Sequence, residues 1–132
     1  MLTSTSELET RSVRRPAEKA ASDPVDLAHL RRYTMGDIAL EKEVLQLFLH
    51  QLPMTIRALS EAVNNREWMV AAHTLKGSCR AVGAWRIAGL AEEAERQIAN
   101  ENPVQRRETV AGIEEAAGEA SAFIDRAYSV EA

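Results

Sequence analysis

The sequence predicts an all-α fold: an up-down-up-down four-helix bundle with a short N-terminal capping helix. Ala, Glu, Arg and Leu dominate its 132 residues, and aromatic residues make up only 5%, a composition that favours helices over sheets. Four long segments repeat their apolar residues at the spacing of amphipathic helices. No segment alternates apolar and polar residues as a half-buried strand does, and the short breaks between segments predict antiparallel neighbours.

The chain divides into a tail and one domain. Residues 1–22 are rich in Ser, Thr, Glu and Arg and show almost no apolar periodicity, so we expect a disordered N-terminal tail. Residues 23–132 are assigned to the bundle domain, because the chain length suits one domain with one modest core. Hydrophobic residues make up 45% of the chain, which is enough to fill that core.

Capping residues and helix breakers divide the domain into five predicted helices. Asp and Asn are favoured before the first turn, Pro at the first helical position, and Gly after the last residue. Pro53 falls inside the second helix, where we expect a kink because the apolar stripe resumes in phase. The predicted helices are about 24–33 after Asp23, 38–63 after Asp37, 66–82 between Asn64 and Gly83, 84–99, and 103–128 after Asn102. The stripe of the second helix is Ile38, Leu45, Leu49, Leu52, Ile56, Leu59 and Val63.

Charge and cysteine content exclude several function classes. The formal net charge of −4 argues against a nucleic-acid partner, because such binding depends on neutralising phosphates with Lys and Arg. Cys79 is the only cysteine, so no internal disulfide can form and the sequence suits a reducing compartment. No apolar run has the length of a signal peptide or a membrane span. We therefore expect a cytoplasmic protein with no membrane association.

The third predicted helix carries a histidine on the face opposite its core stripe. At about 100° per residue, five residues of this helix form a core sector roughly 80° wide. His73 lies about 140° from the centre of that sector and is therefore expected to face solvent. The residues of the core sector are Trp68, Ala72, Leu75, Cys79 and Val82.

The neighbours of His73 indicate a functional histidine rather than an idle one. Lys76 and Arg80 are cations within two turns of it, close enough to attract an anion beside the ring. Gly77 costs the helix about 1 kcal/mol relative to alanine, and one use of such a glycine is close approach by a partner. Two further neighbours are apolar yet face away from the core, as residues of a docking surface do; they are Met69 and Val70.

This arrangement suits phosphoryl transfer. A neutral imidazole is a nucleophile near physiological pH, and a phosphorylated ring nitrogen keeps a high transfer potential because the P–N bond is labile. An exposed ring on a rigid helix can enter the active site of another protein. We therefore interpret His73 as a phosphoryl acceptor, with Lys76 stabilising the phosphoryl charge and Gly77 leaving room for the partner.

The segment His73-Thr74-Leu75-Lys76-Gly77-Ser78, followed by Gly83-Ala84, resembles the signature of histidine-phosphotransfer (HPt) domains. The run Phe48-Leu49-x-x-Leu52-Pro53 is similar to the opening helices of that family. The resemblance extends over about residues 24–128, nearly all of the predicted domain. It is carried by a fairly specific string of residues on an amphipathic third helix.

The resemblance implies a four-helix bundle that acts as an intermediate in multistep His-Asp-His-Asp phosphorelays. We expect no autokinase activity. The resemblance implies that His73 is the phosphoacceptor and that Lys76 is its charge partner. It also implies that the missing side chain of Gly77 leaves room for a receiver domain. Ser78 also matches, but its place near the core edge favours a packing or backbone hydrogen-bond role. The implied partners are response-regulator receiver domains and a hybrid sensor histidine kinase. The receiver would provide the aspartate and the magnesium ion, so no cofactor of the chain's own is expected, and we expect a monomer.

Three other readings stay open at this point. A dimerisation domain of a sensor histidine kinase also places a histidine on a helical bundle, but an acidic residue usually follows that histidine, whereas Thr74 follows here. A metal-binding bundle would need inward Glu-x-x-His pairs, and the nearest match is the single pair Asp26 and His29. A non-catalytic helical adaptor would make Gly77 a tolerated defect. An adaptor would acquire no acid-labile phosphate from a phosphorylated receiver.

Overall fold

The structure, a computed structural model, describes residues 23–97 and 102–128. These residues form helices and turns and contain no strand, so the all-α prediction is confirmed. The proposed tail, residues 1–22, lies outside the described residues. The helices are α1 (Leu27–Thr34), α2 (Ile38–Ser60), α3 (Asn65–Val82), α4 (Trp85–Arg96) and α5 (Pro103–Tyr128).

Four of these helices form a closed bundle. Each helix from α2 to α5 packs against the next along the chain, and α2 also contacts α5. Because the connections are short, consecutive helices run antiparallel. The short helix α1 packs on α2 and α3, at the end of the bundle where α3 stops. There the Asp26 N–H donates to the Gly83 carbonyl at 2.9 Å.

The helix starts follow the predicted caps with one exception. Side-chain oxygens of Asp37, Asn64 and Asn102 each accept a backbone N–H bond from the following turn, which satisfies donors that a helix start leaves unpaired. The prediction that Asp23 caps α1 is wrong. Asp26 caps it instead, because residues 23–25 form bends in which the fully buried Val25 is packed into the core before the helix begins.

Two residues assigned to the core stripe of α2 are exposed. The prediction that α2 reaches about residue 63 is wrong, because the helix ends at Ser60 and Val63 lies in the following turn with 83% of its surface exposed. Ile38 is 46% exposed, since it occupies the first turn. The helix continues through Pro53.

The predicted end of α4 near residue 99 lies outside the described residues; within them, α4 ends at Arg96.

The core lies between the four long helices, and every one of them contributes to it. Leu45, Leu75, Ile87 and Ile113, one from each helix, are each 0–1% exposed. Burial of such side chains contributes about 1.5–3 kcal/mol each. Within residues 23–97 and 102–128, no helix is long and apolar enough to cross a membrane.

A buried carboxylate ties α1 to the bundle. Glu41 is fully buried and accepts two hydrogen bonds from the Arg31 guanidinium, at 2.7 and 3.2 Å. The Tyr128 hydroxyl donates to the same carboxylate. Hydrogen bonds from Arg31 hold the pKa of Glu41 below its usual range, against the opposing effect of burial. One side chain of α2 therefore joins the short helix to the end of α5.

We expect Gly83→Ala to destabilise the domain by about 2 kcal/mol or more. Gly83 has φ 84°, and a Cβ there would lie 2.8 Å from the Asp26 carbonyl oxygen, so the substitution is strained and also separates α1 from α3. Urea unfolding measures the loss. The matched control is Gly118→Ala, where a Cβ meets nothing within 4 Å and helix propensity improves by up to about 1 kcal/mol. Equal stability of the two variants would contradict the prediction.

Candidate functional site

Helix α3 places His73 on the outside of the bundle. The five residues of the predicted core sector, from Trp68 to Val82, are all buried. The His73 side chain on the opposite face is 73% exposed, so the orientation derived from the helical wheel is confirmed. The Asn64 cap and the left-handed Gly83 fix both ends of α3. The ring therefore stands on a rigid helix and is open to solvent.

A carboxylate from α4 holds the ring. His73 Nδ1 lies 3.0 Å from Glu95 Oε2, and the Lys76 ammonium donates to Glu95 Oε1 at 2.6 Å. The side chains of Lys76 and Glu95 are 18% and 16% exposed. The two residues thus form a partly buried ion pair beneath an exposed imidazole. The sequence predicts that Lys76 stabilises a phosphoryl group, whereas in this structure its ammonium is paired with Glu95.

The charge of Glu95 determines which nitrogen of the neutral His73 ring carries the proton. The Lys76 ammonium, and after it the His73 ring, hold the pKa of Glu95 below its usual range, so this side chain is an ionised acceptor at neutral pH. An ionised carboxylate can only accept hydrogen bonds, so the neutral ring contacts it with its proton on Nδ1. Nε2 then carries the free lone pair.

The surface next to His73 on α3 is open. A Cβ built on Gly77 meets nothing within 4 Å, so the space beside the ring is free for another molecule.

Ser78 is half-buried and donates to the Leu75 carbonyl at 3.3 Å, which is the backbone role predicted for it. Cys79 is fully buried, and burial raises the pKa of its thiol to about 12. It is therefore protonated and unreactive.

An apolar groove runs between α2 and α3 beside the histidine. Its volume is about 700 Å³, and its lining includes Met54, Val70 and Thr74, the last of which follows His73 directly. Met54 and Val70 are 63% and 56% exposed, and Met69 is 40% exposed. The exposure predicted for Met69 and Val70 is confirmed. Single exposed apolar residues are ordinary, but two large ones that line the same groove, Met54 and Val70, are typical of an interaction surface.

Arg80 lies farther from the ring than the charged pair. It is half-exposed and pairs with Glu92 of α4, with a nitrogen–oxygen distance of 3.7 Å. An exposed pair of this kind contributes little to stability and can exchange partners. Arg80 is therefore on the rim of the site, where its assignment to partner binding stays a prediction.

The other histidines have different surroundings. His29 packs edge-on against the rings of Tyr33 and Trp85. Asp26 accepts bonds from the His29 N–H and the Trp85 indole. The Asp26–His29 pair, the nearest match to a metal-binding motif, is therefore a helix cap and an aromatic contact. Among residues 23–97 and 102–128, no group of three or more His, Cys, Asp or Glu side chains could hold a metal ion.

Glu95 is the residue that sequence reasoning missed. It lies 22 positions after His73, within the acidic run Glu92-Glu93-Ala94-Glu95 of α4. Periodicity indicates that these carboxylates flank a core stripe, but not which of them faces α3. The available signal was an acidic residue near the end of the helix that follows the histidine helix, combined with the lysine one turn after the histidine.

A comparison with protein-family models matches the chain to the Hpt domain family over residues 43–123. The matched range includes His73, Glu95 and the groove between α2 and α3. A search of curated proteins and a search of solved structures each found no match. Hpt domains are phosphotransfer modules of two-component phosphorelays and interact with receiver domains and histidine kinases. The match covers more than half of the chain, and the chain belongs to the Hpt domain family.

Proposed function

We propose that this protein carries a phosphoryl group on His73 between receiver-domain aspartates in a multistep phosphorelay. The observation that supports the proposal most is the exposed imidazole whose Nδ1 lies 3.0 Å from an ionised carboxylate. The ring is thereby fixed in orientation and its Nε2 is left as the nucleophile. The partners are a receiver domain of a hybrid sensor histidine kinase and that of a response regulator.

In the uptake step, the Nε2 lone pair of His73 attacks the phosphorus atom of an aspartyl phosphate. The new P–N bond forms as the P–O bond to the aspartate breaks, and the aspartate leaves as a carboxylate. The ring still carries its Nδ1 proton, so it becomes cationic, and the Glu95 carboxylate at 3.0 Å stabilises that charge. The donor step is the reverse, with an aspartate of the next receiver as the nucleophile.

Lys76 and Gly77 have supporting roles in this proposal. The Lys76 ammonium lies on α3 one turn after His73 and is held by Glu95 at 2.6 Å, and its positive charge attracts the negatively charged phosphoryl group. The open space at Gly77 lets the receiver backbone approach the helix. The receiver holds the magnesium ion, so this chain needs no cofactor. We further propose that the protein is cytoplasmic, monomeric and without autokinase activity.

Transfer profiling tests the proposed function. The full chain is incubated with a panel of receiver domains, each phosphorylated on its aspartate, and the phosphate gained by the chain is examined for acid lability and mapped to a residue. We expect rapid labelling by a subset of receivers, with the label acid-labile, stable to alkali and located on His73. A chain that gains no acid-labile phosphate from any receiver would instead be a binding module.

The groove between α2 and α3 is expected to be the receiver docking surface. We expect the double substitution Met54→Ser and Val70→Ser to weaken receiver binding about tenfold, the equivalent of about 1.4 kcal/mol, because apolar contact at its centre is lost. Binding is measured by titration calorimetry. The matched control is Val104→Ser on α5, since Val104 and Val70 are 54% and 56% exposed. Equal loss in the control would show that the groove has no special role.

A further inference from the structure

We propose that Glu95 keeps the phosphorylated His73 ring protonated on Nδ1 to a higher pH than an uncharged partner would, so that the ring can leave as neutral imidazole. The inference rests on the proposed function and concerns the state that follows phosphoryl uptake. It assigns to Glu95 the control of how long the phosphohistidine lasts and over which pH range it can donate. Glu95 acts through the ring, so it is a positioning residue.

The chemistry of the P–N bond makes the Nδ1 proton decisive. In the donor step an aspartate oxygen forms a bond to phosphorus while the P–N bond breaks, and the bonding electron pair returns to Nε2. If Nδ1 carries a proton, the leaving group is neutral imidazole. If that proton has been lost to water, the leaving group is an imidazolide anion, which is far less stable. Transfer and hydrolysis therefore both slow once the ring loses its proton.

The contacts of the ring favour retention of that proton. A carboxylate within about 4–6 Å of a cationic group stabilises the charged form, and Glu95 Oε2 is 3.0 Å from Nδ1. Most of the Glu95 side chain is shielded from solvent, with 16% exposed. Water therefore screens the attraction between Glu95 and the ring less than it screens an ion pair on the surface. Lys76 opposes the effect, but its ammonium lies on the other carboxylate oxygen.

Other charged groups around α3 have partners of their own or line the adjoining groove. On α4, Glu92 pairs with Arg80. Glu61, the residue that follows α2, lines the adjoining groove together with Arg66 and Glu67 of the first turn of α3. On α1, Arg31 binds Glu41. Among the described residues, the carboxylate in contact with the His73 ring is therefore that of Glu95.

Glu95→Gln tests the inference, because an amide keeps the shape and a hydrogen-bonding oxygen but removes the charge. Wild type and variant are phosphorylated with phosphoramidate, a small donor that needs no docking surface, and the ³¹P resonance of each phosphohistidine is titrated with pH. We expect the midpoint of the variant to lie about one pH unit below that of the wild type. The pH profiles of hydrolysis should shift by the same amount, with the two rates converging at low pH.

The matched control is Glu93→Gln, two positions away on α4, because Glu93 pairs with Arg96 of its own helix. Its midpoint should equal that of the wild type. Equal midpoints in wild type and Glu95→Gln would overturn the inference while leaving the proposed function intact. A Glu95→Gln chain that folds but takes up no phosphate would also overturn it, because Glu95 would then act in uptake alone. Failure of the wild type to form phosphohistidine would instead reject the proposed function.

Discussion

Replacing His73 with glutamine is expected to abolish acid-labile phosphorylation and to leave the fold intact. Glutamine keeps a polar side chain but has no nucleophilic ring nitrogen, so transfer from a phosphorylated receiver should fall to background. The side chain is 73% exposed, and surface substitutions usually change stability by less than about 0.5 kcal/mol. Glu95 also keeps its bond to Lys76, so no carboxylate loses every partner.

The measurement is radiolabel transfer from the receiver, combined with urea unfolding of the same sample. The matched control is His50→Gln, because His50 is also exposed and lies on a neighbouring helix, α2. The control should retain full labelling. Labelling of His73→Gln at the wild-type rate would identify a different acceptor and remove the basis of the proposed mechanism.

Replacing Gly77 with leucine is expected to slow transfer from a receiver by about a hundredfold while leaving the domain as stable as before or more so. Leucine is a better helix former than glycine by up to about 1 kcal/mol, and its Cβ would meet nothing within 4 Å. The same side chain would occupy the space that a docked receiver needs. Displacement of the reacting groups by even about 1 Å can reduce a rate about 100-fold.

Two comparisons separate steric exclusion from damage to the site. Gly118→Leu on α5 is the matched control, since that glycine also has open space around it and lines the groove between α2 and α5; it should transfer normally. Phosphoramidate should still label His73 in Gly77→Leu, because a small donor does not need the clearance. Loss of labelling by phosphoramidate would mean that the substitution disturbs the histidine itself.

Local sequence signals predicted most of the helices, because those signals act over a few residues. Asp37, Asn64 and Asn102 cap their helices as expected, and Gly83 ends α3 in the left-handed conformation. The errors lie at the ends of elements. Asp26 replaces Asp23 as the cap of α1 because burial of Val25 determines where the chain can turn, and such burial depends on contacts between distant segments.

The sequence by itself determined that His73 points away from the core. Trp68, Leu75 and Val82 share one face of α3, and a helix that buries that face must expose the opposite one. The same periodicity made Gly77 and Val70 neighbours of the ring. These relations hold within a single helix, where the geometry is fixed by 3.6 residues per turn, so no knowledge of the packing was needed.

The tertiary structure alone decided what touches the ring. Glu95 reaches His73 Nδ1 because α4 packs along α3 with a particular rotation and offset, and periodicity within α4 leaves both undetermined. The attachment of α1 through Glu41 and Tyr128 has the same origin. A helical pattern gives the direction of each side chain about its own axis, whereas contacts between helices also depend on how the axes are placed.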